Sequence, residues 1–312
     1  MPEALNYILS FDAQHPLLFT QFYFWAFFAI VFSLFALIIG RGKSSRGRMH
    51  LRNIFLLFVS WFFYYKTSGV FLWILVFVTI SNFYLAKAIH HSQKLSTLKL
   101  DGFSKLYTLH SKLLLSLSII IDLGLLAYFK YAYFGADVAN SLFGTDWHIV
   151  DKIVLPVGIS FYIFQVISYS SDVYHHRIEP VENILDFGFY VAFFPQLVAG
   201  PIVRASEFIP QLYKPWHLTR RQFGMAIFWI LNGLAKKIVL SDYLAVNFID
   251  RVFQSPTLFT GFENLMALFT YSMQVYADFS GYTDIAIGVA MLMGFYLPQN
   301  FDSPYKAQNP QE

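Results

Sequence analysis

Asp278, Ser280, Tyr282 and Asp284 stand within seven residues, between one apolar run at 263–275 and another at 285–297. Polar side chains are costly in hydrocarbon, and ionisable residues at membrane depth usually mark function. On a helix, residues four apart share a face, so Asp278 pairs with Tyr282 and Ser280 with Asp284 on a neighbouring face. The four are expected to converge on a polar cavity. Two roles are open to the carboxylates: Asp278 or Asp284 as a general base, or a hydrogen-bonded lining with no part in bond making. The nine histidines, His15, His50, His90, His91, His110, His148, His175, His176 and His217, all fall in loops or at the ends of apolar segments. His-x-x-x-His spacing, a phosphate loop, a Gly-x-Ser-x-Gly elbow and a dinucleotide fingerprint are missing. With no cysteine, disulfides, thiolate chemistry and cysteine-ligated metals are excluded. No metal and no bound cofactor is expected.

These residues need elements to hold them, and composition says which. Hydrophobic residues make up 56% of the 312, aromatics 20% and charged residues 13%, against roughly 25% charged in a soluble domain. So few polar side chains cannot cover a globule. The expected fold is an all-α polytopic integral membrane protein, a single transmembrane domain of about eight to ten membrane helices. Membrane lipid is its surrounding partner, and a net charge of +3 gives no argument for nucleic acid. Met1–Pro16 carries Glu3 and Asp12 and no basic run, so the first apolar segment is expected to stay in the membrane.

Phe19–Gly40 is long enough to cross a ~30 Å core. Arg41, Lys43, Arg46, Arg48 and Arg52 follow without an acidic residue, which places that loop in the cytoplasm and the N-terminus outside. Asn53–Tyr65 and Val70–Ile89 are expected to form a helical hairpin about Lys66–Gly69. The stretch 87–112, with Lys87, Lys94, Lys99, Lys105 and Lys112 against Asp101, is expected to be a cytoplasmic loop. Leu113–Phe134 is a span in which Asp122 bonds to a neighbouring helix and Lys130 snorkels. Gly135–Lys152, with Asp137, Asp146 and Asp151, suits an outer loop. Ile153–Tyr174 is a span, with Gln165 its strongest functional candidate. If Phe187–Gly200 crossed, Arg204, Lys214, Arg220 and Arg221 would lie outside, against the charge rule. Phe194–Pro201 is therefore the turn of a re-entrant segment, expected to line the same cavity as 276–284. Gln222–Leu240 is the next span, with Lys236 and Lys237 near its end. Ala286, Ala290 and Gly294, four apart, are expected to admit a close helix neighbour.

Four stretches carry a resemblance. They are Leu155-Pro-Val-Gly158 through Tyr174, Phe193-Phe-Pro-Gln-Leu-Val-Ala-Gly-Pro-Ile-Val-Arg204 with Phe208–Leu212, Asp278-Phe-Ser-Gly-Tyr-Thr-Asp284 through Gly288, and Leu297-Pro-Gln-Asn-Phe-Asp-Ser-Pro-Tyr305. In this order they resemble the membrane-bound O-acyltransferase family, in its bacterial alginate O-acetyltransferase-like and teichoic-acid D-alanyl-transfer-like branch. The resemblance implies a multi-pass protein of the bacterial plasma membrane with a tunnel through it. An activated acyl group, carried by acetyl-CoA or an acyl carrier on the cytoplasmic side, would pass to a hydroxyl outside. The acceptor would be an exported polysaccharide, a cell-wall polymer or an accessory acyl-transfer protein. Gln165, Asp172, Gln196, Gly200, Pro201, Asp278, Ser280, Tyr282 and Asp284 are the tunnel-lining candidates. In the family, the Asn-Phe-x-x-Pro-Tyr segment leads into a first histidine, with a second on a later helix. Here Asn300–Tyr305 is followed only by Lys306–Glu312, so neither catalytic histidine falls within the 312 residues. The chain alone is therefore expected to be inactive. Two other classes compete: a non-catalytic membrane scaffold or degenerate copy, and a transporter or flippase, whose broken helices also surround carboxylates.

Overall fold

The computed structural model describes residues 11–12, 16–39, 46–97, 104–147 and 153–309. Glu3, His15, Arg41, Lys43, Lys99, Asp101, His148 and Asp151, invoked above, lie outside them. The helices are α1 (Phe22–Ile39), α2 (Arg46–Ser68), α3 (Leu72–Thr97), α4 (Ser104–Phe143), α5 (Ile159–Tyr174), α6 (Ile184–Ala192), α7 (Phe194–Leu197), α8 (Ala205–Phe208), α9 (Arg220–Ala235), α10 (Asp250–Gln254) and α11 (Gly261–Leu292). π-Helical turns at Lys236–Tyr243 and Ala245–Ile249 carry the chain from α9 toward α10. No strand occurs among the described residues.

Four stretches, 22–39, 47–96, 106–143 and 220–254, are long and apolar enough to cross a membrane. The second holds both α2 and α3. α5, at 16 residues, is ~24 Å long, and α6, at nine, ~14 Å; both are short of a full crossing. α11 has the length, at 32 residues, but carries carboxylates. Several stretches taken as loops are helical. α3 runs on to Thr97, α4 starts at Ser104 and ends at Phe143, and α2 begins at Arg46. Lysines and histidines past the apolar core are compatible with helix, so polarity alone did not mark the ends.

The chain divides into two compact units, the first of Met1–Pro16, Met49–Val198 and Arg204–Tyr213, the second of Leu17–Arg48, Ala199–Val203 and Lys214–Glu312. In the first, α2 and α3 form the expected hairpin. A Cβ on Gly188 of α6 would lie 3.7 Å from both Leu57 of α2 and Thr79 of α3. A straight helix would hold those two residues ~33 Å apart, so the chain must fold back between them. It does so at Gly69, whose φ of +60° suits glycine and where a Cβ would strike the Phe11 ring at 2.8 Å. α6 is thereby wedged between the arms.

The re-entrant segment closes on itself at one end of this unit. Its start is held by Asn53, which donates to Asp186 Oδ1 at 3.1 Å. Its return is held by Arg52, which donates to the Leu212 carbonyl at 2.6 Å, and by Tyr213, whose hydroxyl donates to Asp186 Oδ2 at 3.0 Å. Departure and return therefore meet beside Arg52. The far turn reaches Ser60, whose hydroxyl accepts from the Phe194 N–H at 3.2 Å. Eight helical residues separate Ser60 from Arg52, so the segment runs ~12 Å along α2 and turns back.

In the second unit α1 buries Phe24, Phe28, Val31 and Phe35, while Phe22, Tyr23, Ile30, Leu34 and Leu37 are exposed. A helix apolar on its exposed face as well is suited to lipid. α9 and α11 open with capping boxes, Thr219 with Gln222 and Thr260 with Glu263, each closing two otherwise unpaired N–H groups. α11 closes at Gly294 (φ +81°). There the Phe295 N–H returns to the Ala290 carbonyl at 2.9 Å and the Gly294 N–H to Met291 at 3.0 Å, the αL helix stop that glycine permits.

Candidate functional site

α9 and α11 run antiparallel in backbone contact. A Cβ on Gly233 would lie 2.5 Å from the Gly281 carbonyl, one on Gly281 2.8 Å from the Gly233 carbonyl, and one on Gly288 2.6 Å from that of Ala226. The close approach thus uses Gly281 and Gly288. Ala286 and Ala290, expected to provide it, are buried on the opposite side of α11, and Gly294 is its cap.

At about 100° per residue, Gly281 faces α9 with Tyr276, Ser280 and Asp284 on one side of the seam and Asp278 and Tyr282 on the other. The two polar stripes do not converge as expected; they flank the seam. Two consecutive lysines of the π-helical turn straddle it. Lys236 Nζ donates to Asp284 Oδ2 at 2.7 Å and to Ser280 Oγ at 2.9 Å, and lies 5.9 Å from the centre of the Tyr276 ring. Asn232 donates to the same Asp284 oxygen at 2.7 Å. Lys237 donates to Asp278, and to Asp242 at 2.8 Å, and lies 5.4 Å from the Tyr282 ring centre. π-Turns inside helices are frequent at functional sites. Here the turn carries both charges in the middle of the 220–254 stretch, not near its end, because Asp278 and Asp284 neutralise them. The Asp284 side chain is 4% exposed and that of Asp278 42%, so the buried carboxylate is Asp284, while both lysines are partly buried.

The Asn300–Tyr305 segment clasps the same helix. Tyr305 donates to the Ser272 carbonyl at 2.8 Å, and Phe301 and Tyr305 pack on Tyr276 with ring centres 5.5 and 5.6 Å away.

In the first unit Gln165 and Gln196 converge on one atom. Both donate to the Tyr190 carbonyl, at 2.9 and 2.8 Å. The reason is local: the Phe194 N–H, which would close that helical turn, is diverted to Ser60. Two side-chain amides replace it, each contributing about 1 kcal/mol. Asp172, buried at the end of α5, pairs with Arg177 at 3.1 Å. Asp122 accepts from Asn82 at 2.9 Å, and Asn82 accepts from Ser118 and Ser170 at 2.8 and 3.1 Å. That knot ties α3, α4 and α5 together, the bonding role expected of Asp122. Gly200 and Pro201 are buried and belong to the second unit. The nine candidates therefore divide between units: Gln165, Asp172 and Gln196 in the first, the rest in the second. None of the seven described histidines is buried. Lys236 and Lys237 were missed as site residues. The signal was two adjacent lysines inside an apolar run opposite two carboxylates.

Helices of membrane length, intramembrane charges cancelled in pairs and a folded-back segment define a polytopic helical membrane protein. No family profile matches the chain, but individual relatives do. It is 37% identical over 284 residues to a probable alginate O-acetylase of Pseudomonas putida, covering 89% of this chain and 55% of the relative. To a peptidoglycan O-acetyltransferase of Helicobacter pylori it is 32% identical over 286 residues, 83% of this chain and 51% of the relative. To a teichoic acid D-alanyltransferase of Bacillus subtilis it is 28% identical over 169 residues, 52% and 41%. The chain belongs to the membrane-bound O-acyltransferase family. It spans about half the length of these two curated O-acetylating relatives.

Proposed function

We propose that the chain is part of a membrane O-acyltransferase of the bacterial plasma membrane, moving an acyl group, acetyl by the names of its relatives, onto a hydroxyl of an exported polysaccharide or cell-wall polymer. The observation that carries this is the 37% identity to an alginate O-acetylase over 89% of the chain. The acyl donor, acetyl-CoA or an acyl carrier, arrives on the cytoplasmic side, and an accessory acyl-transfer protein is a further partner class. In the reaction the acceptor oxygen attacks the acyl carbonyl, a C–O bond forms as the bond to the donor breaks, and the hydroxyl proton passes to a base. Within the described residues Asp278 and Asp284 are engaged by Lys237 and Lys236, which favours a positioning role for them. The same pairing disfavours an ion-transport reading, which needs carboxylates free to take the ion. We place the base outside these 312 residues.

The test is to express the 312-residue chain, and a version extended along its reading frame, in a host lacking its own acylation system, and to measure ester on the exported polymer. Ester from the extended version alone is expected. Ester above background from the 312 residues would overturn the placement of the base, and none from either would overturn the transferase reading.

The orientation is proposed from the charge rule: N-terminus outside, with 41–52, 87–112 and 204–221 cytoplasmic and 135–152 outside. The closure of 186–213 beside Arg52 supports a common side for Arg52 and Tyr213. Single cysteines, introduced into a chain that has none, are expected to label from the cytoplasm at both 50 and 214. Periplasmic labelling at 214 would sink this topology.

A further inference from the structure

The last turns of α3 gather four basic or titratable side chains. Lys87, His91 and Lys94 lie on one face at spacings of four and three, with His90 beside them. They meet the segment Glu179–Glu182 across a cavity of about 420 Å³, lined by Lys87, His90, His91, Lys94, Glu179, Pro180 and Glu182. Its far wall is built, not a chance lie of a loop. Lys87 Nζ donates to the Glu182 carbonyl at 2.8 Å while resting 4.4 Å from the Phe83 ring centre. The Val181 N–H donates to the Tyr169 hydroxyl at 3.0 Å. The wall is thus pinned to α3 at one residue and to α5 at the next. The cavity lies toward the same end of the unit as Arg52, since Asn183 Nδ2 sits 3.5 Å from His50 Nε2.

Lys87, His90, His91 and Lys94 bring N–H donors to one wall of this cavity, and Lys and His donors suit phosphate oxygens. Glu179 and Glu182 add acceptors on the opposite wall, which disfavours a bare polyanion and favours a phosphate ester that also carries hydroxyl or amino donors. We propose that this cavity is a binding site for such a phosphate ester. Two sources share that chemistry: the nucleotide portion of a coenzyme A thioester, and a phospholipid headgroup. The first identification rests on the acyl-transfer reading; the site itself does not.

The experiment uses the full 312-residue chain in a sugar-based detergent free of phosphate. Coenzyme A and a short-chain phosphatidylglycerol are titrated separately by calorimetry. The variant is His91→Gln with Lys94→Gln, both exposed, so Lys87 and the wall it holds stay intact. The variant's thermal melting is expected to match that of the parent. Binding of at least one probe is expected, weakened roughly tenfold or more in the double variant, the equivalent of 1.4 kcal/mol. Coenzyme A as the responsive probe assigns the acyl donor, and the short lipid alone assigns the headgroup. Binding of neither probe, or equal binding by parent and variant, overturns the site. Ester formation does not enter this readout, so its failure leaves the acyl-transfer reading standing.

Discussion

Gly281→Val is expected to strip the second unit of its central helix pair, giving little monodisperse protein and a markedly lower melting temperature. The new Cβ would lie 2.8 Å from the Gly233 carbonyl and 3.0 Å from the Lys237 N–H. Both are backbone atoms, so neither can swing aside as a flexible side chain would. Overpacking of this kind costs typically 1–3 kcal/mol and sometimes more. Here α9 must also retreat from α11, which stretches the Lys236 and Lys237 pairs at the same time. Gly224→Ala in α9 is the control, because a Cβ there meets nothing within 4 Å. It is expected to leave stability equal or raise it by up to about 1 kcal/mol, the usual difference between glycine and alanine in a helix. Equal melting of the Gly281→Val and Gly224→Ala proteins would remove the backbone seam from the account.

Lys236→Met is expected to cost roughly 3–5 kcal/mol, because it leaves a buried carboxylate without its cation. Asp284 is 4% exposed and would keep only the Asn232 amide as a donor. Adding Asp284→Leu to Lys236→Met is expected to recover most of the loss, since replacing both members of a buried pair by apolar groups is often neutral. Lys237→Met is the contrast. Its partners Asp278 and Asp242 are 42% and 48% exposed, and pairs at that exposure contribute about 1 kcal/mol or less. Melting of Lys236→Met, Asp284→Leu and the double variant beside the parent in mild detergent forms the cycle that measures the coupling. A cost for Lys237→Met equal to that for Lys236→Met would show that burial does not rank the two pairs. The same ranking makes Asp278→Asn a mild change, and moves structural weight within the polar stretch from Asp278 to Asp284.

Much of the architecture was legible in one dimension because lipid imposes a simple rule: a segment with too few polar groups must be helical and must meet either lipid or another helix. That rule found α1, the hairpin about Gly69 and the span holding Asp122. The lysine and arginine counts pointed to the same folded-back path that Arg52, Asp186 and Leu212 close by hydrogen bonds. Helix ends were less legible, since Lys, His and Ser past the membrane boundary neither favour nor stop a helix strongly. The capping boxes at Thr219 and Thr260 were written in the sequence as Thr-x-x-Gln and Thr-x-x-Glu, and they mark the two starts sharply.

By itself the sequence determined the solvent the chain lives in, the helical class, and which short stretch carries polar groups at cost. Family membership followed from four ordered motifs, which relatives such as the alginate O-acetylase then bore out. Only the tertiary structure decided what those polar groups face. Helical spacing told that Asp278 and Tyr282 stack, and Ser280 and Asp284 stack, but not which side of α11 meets a neighbour. Gly281 decides that, because the bare backbone on its face admits α9 to contact distance and sends one stripe to each side. Likewise Gln165 and Gln196 lie 31 positions apart in sequence and join only because a turn at Phe193 frees the Tyr190 carbonyl between them. A partner across a packed interface depends on distance in space, and spacing along one helix carries no information about it.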